Sequence, residues 1–213
     1  MISEIQNSSI YYHDVNLPII KQLLGWYKGV SLSNITTNTI SIDYYTNLLK
    51  LTNSFNNINE LFNGILSINE IKIIHSIAAT YCREEKYKIA KDILKSLIHN
   101  ISIFNISSDF LLLPEIYYNI SKLLFIEKDY NESISFANKG IEFCINNNFS
   151  RILADLFYIL GQCYEMLGEI DKSLQNYNKF IFLYDILGHD KFSLQCKENL
   201  LSKYSDISTL IKS

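Results

Sequence analysis

Between Ile152 and Gly188 apolar side chains recur every three or four positions, in two runs separated by a glycine-containing break. The first run carries Ile152, Leu153, Leu156, Phe157, Leu160 and Tyr164, the spacing of one helical face. Met166-Leu167-Gly168-Glu169 interrupts it, and Gly168 suits the left-handed position that closes a helix. A second helix is expected from Asp171, with Leu174, Tyr177, Phe180, Ile181 and Tyr184 on one face and Gly188 at its end. Asn147 and Ser150 offer an N-cap to the first helix. The pattern predicts a helix–turn–helix hairpin.

The same pattern returns at a fixed offset. Shifting back by about 40 positions places Tyr117 on Phe157, Ile120-Ser121 on Leu160-Gly161, Leu124 on Tyr164 and Ser133 on Ser173. Ile134, Ala137, Ile141 and Cys144 then continue the second helix, and Pro114 fits the first turn of the first, where its missing N–H is no loss. A further shift of about 43 brings Ile74, Ile77-Ala78 and Tyr81 into the frame, followed by Tyr87, Ala90, Leu94 and Leu97. The small residues Ala90, Ser133 and Ser173 fall where two helices of a hairpin cross closely. Forward of the clearest unit, Lys197, Leu200-Leu201 and Tyr204 predict a terminal capping helix over roughly Asp190–Tyr204, with Lys197 and Lys203 on its wetter side.

Residues 1–69 do not fit the frame. Leu17–Gly29 and Ser41–Leu51 read as helices, Asn56–Leu66 as a third, and Val30–Ile40 as a Ser/Thr/Asn-rich connector. The expected organisation is an N-terminal helical segment over 1–69, as a degenerate repeat or cap, and a repeat domain over 70–213.

Composition narrows the class. Two prolines and seven glycines in 213 residues argue against an all-β fold with many tight turns. A net charge of -3 argues against a free-standing nucleic-acid binder. Although 48% of residues are hydrophobic, no apolar run approaches the roughly 20 residues that span a bilayer, and no secretory signal is visible. A cytoplasmic, non-membrane protein is the expectation. Arg83 and Arg151 are the only arginines, and the wealth of Ile, Asn, Lys and Tyr resembles the codon bias of an AT-rich genome. Cys82, Cys144, Cys163 and Cys196 are far apart within apolar patterns and read as buried free thiols.

Catalytic chemistry finds no foothold. His13, His75, His99 and His189 lack ligand spacing, and there is neither a glycine-rich phosphate loop nor a nucleophile elbow. Glu84-Glu85 reads as a solvated turn. No enzyme activity, metal or cofactor is expected.

The run Phe157-Tyr-Ile-Leu-Gly-Gln-Cys-Tyr164 resembles the tetratricopeptide signature W-x2-L-G-x2-Y, with Phe in place of Trp, and its echoes cover about residues 71–204. The resemblance implies an all-α right-handed superhelix of tetratricopeptide-like hairpins with a C-terminal capping helix. It also implies a concave groove lined by the first helix of each hairpin. Positions flanking the signature aromatics there are Lys72, His75 and Ala79; Tyr118, Asn119 and Lys122; Asp155, Tyr158 and Gln162; and Glu198, Asn199 and Ser202. Amide side chains can bond both the N–H and the C=O of an extended peptide, and Tyr supplies contact area at low entropy cost. The peptide-binding set expected is Lys72, His75, Tyr118, Asn119, Lys122, Asp155, Tyr158, Gln162 and Asn199. Tyr118 and Tyr158 stand where chaperone-binding repeats would place a carboxylate clamp, so that branch fits poorly.

The long repeat and capping helix are more similar to the regulatory domains of Rgg/PlcR-type quorum-sensing transcription regulators. That resemblance implies binding of short signalling peptides in the groove and homodimerisation. Members of that family normally carry an N-terminal helix-turn-helix domain, but residues 1–69 show no basic recognition helix, so direct nucleic-acid binding by this chain is not expected. The two functional expectations are a peptide-sensing regulatory domain and, as the alternative, a stand-alone adaptor for a larger protein partner.

Overall fold

The computed structural model describes residues 17–35, 42–104, 112–149, 152–188 and 190–203, so Ser150, Arg151, His13, His189 and Tyr204 lie outside the described residues. Among them the chain forms α1 (Pro18–Ile35), α2 (Ile42–Leu49), a 3-10 helix (Ile58–Asn63), α3 (Ile68–Arg83), α4 (Tyr87–Ile103) and α5 (Leu113–Ile126). Then follow α6 (Tyr130–Asn146), α7 (Leu153–Met166), α8 (Ile170–Ile186) and α9 (Asp190–Lys203). No strand occurs among the described residues. The chain divides into two compact units, residues 1–108 and 109–213.

The repeat frame is visible in the helix boundaries. Helices α5 and α6 map onto α7 and α8 at both ends by the offset of 40, and α4 maps onto α6 by 43. Left-handed residues fall at the same offsets: Glu85, Lys128 and Gly168 after the first helix of each hairpin, Asn148 and Gly188 after the second. At Glu85, Lys128, Asn148 and Gly168 the closure is one motif. The next N–H (Lys86, Asp129, Phe149, Glu169) donates to the carbonyl five residues back, of Tyr81, Leu124, Cys144 and Tyr164, at 2.8–2.9 Å. The left-handed residue's own N–H donates three residues back, which satisfies carbonyls the helix end would otherwise orphan. Asn147 therefore does not cap α7. It closes α6, where its Nδ2 donates to the Phe143 carbonyl at 2.9 Å, and α7 begins after Ile152 without a side-chain cap.

The expected small residues hold the crossings. Ser133 Oγ donates to the Ser121 carbonyl at 2.8 Å, and Ser173 Oγ to the Gly161 carbonyl at 2.9 Å, each twelve residues back and buried. In the earlier hairpin Ala90 and Ala78 stand at these two positions, both buried. Within the second unit, Ala137, Ile141, Cys144, Leu156, Ile159, Leu160 and Cys163 form one core cluster. Ala154, Tyr177, Phe180, Ile181 and Leu200 form another, which seats α9 on the hairpin before it. All four cysteines are free thiols: Cys144 and Cys163 are buried, Cys82 and Cys196 only half-buried.

The first unit is held by polar contacts the periodicity does not signal. Buried Gln22 donates from Nε2 to the Leu48 carbonyl at 3.0 Å and to Thr52 Oγ1 at 2.6 Å, and Trp26 Nε1 donates to Ser76 Oγ at 3.0 Å. Helix α3 starts with a capping box between Ser67 and Glu70. Burial pushes the Glu70 carboxyl up, but hydrogen bonds from Ser67, Asn53 and Thr52 outweigh it and hold the group below its ordinary value. Two expectations are corrected here. The connector expected from Val30 is helical as far as Ile35, because α1 packs against both α2 and α3. The helix expected over Asn56–Leu66 is a six-residue 3-10 helix that ends at Gly64, where buried Asn100 donates to the Phe62 and Gly64 carbonyls.

Candidate functional site

Asp155 and Tyr158 stand three residues apart on α7 and so share one face of the helix. Tyr118 occupies the matching place on α5, 40 residues before Tyr158. Helix α8 adds Phe180 and Tyr184, one turn apart, and α9 adds Gln195, Cys196 and Asn199. Together these residues line an open cleft of about 370 Å³ within the second unit.

Its aromatic wall is continuous. The Tyr158 and Phe180 rings lie 5.0 Å apart between centroids and Phe180 and Tyr184 4.7 Å. Tyr184 donates its hydroxyl to Asp155 Oδ1 at 3.2 Å. Burial raises the Asp155 carboxyl above its ordinary value against the opposing pull of the Tyr184 hydrogen bond. Burial, then the charges of Asp155, Tyr184 and Tyr158, push the Tyr118 phenol up to about 12, so it is a neutral donor under ordinary conditions.

An adjoining cavity of about 160 Å³ shares Tyr158, Phe180, Cys196 and Asn199 with the cleft. Glu165, Tyr177, Leu200 and Lys203 complete its lining. Lys203 pairs with Glu165, whose other oxygen accepts from the Tyr177 hydroxyl at 2.9 Å. These contacts and the Lys197–Asp185 pair at 2.7 Å fasten α9 across the hairpin. The cleft exists because the chain continues into α9.

Of the residues expected from sequence, Tyr118, Asp155, Tyr158 and Asn199 come together here. Gln162 and Asn119, both half-buried, and exposed Lys122 lie on α7 and α5 without lining this cleft. Lys72 and His75 belong to the first unit, on α3. The Lys72 ammonium lies 5.0 Å from the centroid of the Trp26 ring, and burial holds the His75 imidazole down to about 4. Phe180, Tyr184, Gln195 and Cys196 were not expected in the wall. The first two could have been found as residues one turn apart on the second helix, and the last two as positions one turn before Asn199.

The signature aromatics face elsewhere. Phe157 and Tyr164 pack against the hairpin core and line a second groove, of about 420 Å³, with Ile141, Ile145 and Leu160. Lys179 lies 5.1 Å over the Phe157 ring and Lys172 5.2 Å over Tyr164. No described helix is long and apolar enough to cross a membrane, and no described group of His, Cys, Asp and Glu could hold a metal ion.

Comparison with solved structures returns chains of similar fold. Bacillus thuringiensis PlcR in its apo form superposes with a TM-score of 0.70 at 23% identity, over 92% of this chain and 68% of that one. The same protein in complex with the peptide PapR7 and DNA gives 0.65 at 21% identity, over 84% of this chain and 61% of that one. The apo form of RapI gives 0.63 at 14% identity, over 99% and 70%. These likenesses carry the fold, and the chain spans about two thirds of the length of each neighbour. No curated protein matches the chain. The family comparison is direct: the RNPP family C-terminal domain matches residues 2–203, nearly the whole sequence, and the chain belongs to that family.

Proposed function

We propose that this chain is the peptide-sensing regulatory part of a bacterial transcription regulator acting in the cytoplasm. The observation that carries the reading is the cleft of the second unit. Tyr118, Asp155, Tyr158, Tyr184, Gln195 and Asn199 set hydrogen-bonding groups around a continuous aromatic wall, the lining that suits a short extended peptide. Family membership supports it, as does the description of PlcR in complex with PapR7 and DNA. Tyr118, Asp155, Tyr158 and Asn199 would form the centre of the site, with Asn119, Lys122 and Gln162 on the same two helices α5 and α7 at its margins. The regulator would work as a homodimer.

Isothermal titration with short peptides encoded near the gene tests the reading. Saturable heat is expected, with an affinity about five- to thirtyfold weaker for Tyr158→Ala, since a stacked ring contributes about 1–2 kcal/mol. A folded protein that gives no heat at high micromolar peptide overturns it.

A further inference from the structure

We propose that the cleft is a receptor for a cationic group of the ligand, with Asp155 as its counter-ion and the Tyr158 and Tyr184 rings, backed by buried Phe180, as its cage. The inference rests on the peptide-sensing reading of the same cleft and goes further by naming the ligand's chemistry. Three observations converge on it.

The first is charge. Among the described residues Asp155 is the one carboxylate in the wall, and no described Lys, Arg or His lines the cleft with it. The nearby lysines are engaged elsewhere: Lys203 with Glu165 in the adjoining cavity, Lys197 with Asp185. The acidic side chain is half-buried and is held by a neutral donor, the Tyr184 hydroxyl at 3.2 Å. A carboxylate withdrawn from water loses solvation that one phenol does not replace, and an arriving ammonium or guanidinium restores it.

The second is the wall. Rings at centroid distances of 4.7–5.0 Å, from Tyr158 through Phe180 to Tyr184, run alongside Asp155. Aromatic faces attract cations through their quadrupoles, and more strongly where water is excluded. Carboxylate and rings together select a cation over an apolar side chain of the same length. The third is the rim, where Gln195 and Asn199 on α9 can hold the backbone on either side of the captured group. A clamp for a C-terminal carboxylate would need the opposite charge here.

The cation could be the peptide's own N-terminal amine or a Lys or Arg side chain, and both present N–H donors on a positive charge. The test uses four heptapeptide pools, randomised over uncharged residues except at one position: fixed Arg with a free N-terminus, fixed Arg with an acetylated N-terminus, and the same two with fixed Gln. Binding to the intact chain is followed by fluorescence polarisation, for the wild type and for Asp155→Asn, which keeps the acceptor for Tyr184 and removes the charge. The proposal expects at least one cationic pool to bind tenfold or more tightly than the acetylated Gln pool, and Asp155→Asn to erase that preference. A preference that survives acetylation assigns the site to the side chain, and one abolished by it assigns it to the terminal amine. Equal binding of all four pools, or a preference unchanged in Asp155→Asn, overturns the cation receptor and leaves the peptide-sensing reading standing. A chain with wild-type helicity that binds no pool overturns both.

Discussion

Among the described residues five left-handed positions set helix ends, and two of them, Gly168 and Gly188, are glycines. The side chains at Glu85, Lys128 and Asn148 bear a steric cost of about 1–2 kcal/mol that glycine escapes, partly offset by glycine's greater freedom in the unfolded chain. Lys128→Gly is therefore expected to raise stability by about 0.5–1 kcal/mol, and Gly168→Ala to lower it by about 1 kcal/mol, both read from urea unfolding. Gly161 is constrained by space instead. A Cβ there would meet the Tyr177 ring at 2.7 Å, so Gly161→Ala should cost about 1–3 kcal/mol as the ring is displaced. His75 is the residue with a pH signature. Its imidazole, held by burial to about 4, protonates in the unfolded chain near 6.5. The unfolded state thus binds the extra proton between those values. The contribution is present above about 6.5 and is lost as pH falls towards 4. His75→Gln should flatten that leg of a stability–pH curve, and an unchanged slope would show that another group sets it. These residue-scale features were unevenly legible. Gly168 announced its conformation by type, whereas Lys128 and Asn148 take the same backbone shape only because the repeat imposes it at the same offset.

Helices α3 to α8 were readable because each hairpin buries one stripe of apolar residues at helical spacing and repeats it at 40 or 43 residues. The N-terminal helices were less so. Their placement depends on single polar contacts, Gln22 to Leu48 and Thr52 and Trp26 to Ser76, which leave no period in the sequence. The cleft was legible by half for the same reason. Tyr118 and Tyr158 recur with the repeat and Asn199 was expected on the capping helix, but Gln195 and Cys196 enter the wall only through the docking of α9. That docking rests on Leu200, buried against Ala154, Tyr177, Phe180 and Ile181, and on the ion pairs of Lys197 and Lys203. Exposed pairs contribute little, so the apolar contact dominates. Leu200→Ala should loosen α9 by about 2 kcal/mol, and its amides should exchange about thirtyfold faster while those of α6 do not change. Because α9 supplies one side of the cleft, peptide affinity should fall in step with the loss of the docked fraction. Exchange confined to the rate of global unfolding would show instead that α9 is an integral part of the hairpin's fold.

At the scale of the whole molecule, what the chain leaves uncovered bears on its assembly. Helix α8 buries Phe180, Ile181 and Tyr177 yet exposes Phe182 and Ile186, at 64% and 65% of their surface, one turn apart on its outer side. Single exposed apolar residues are ordinary, but two large ones in line on the helix before the terminal cap form the kind of stripe a second copy covers. A net charge of only -3 opposes such pairing weakly. If the proposed homodimer uses this stripe, light scattering at micromolar concentration should give twice the chain's 24.7 kDa. The double variant Phe182→Glu, Ile186→Glu should return it to the single-chain mass with its helicity intact. Neither residue lines the cleft, so the variant should bind peptide with wild-type stoichiometry per chain. A wild-type mass of 24.7 kDa at every concentration would remove the dimer from the functional reading. A dimer that survives the double variant would move its interface off α8 and leave the cleft untouched.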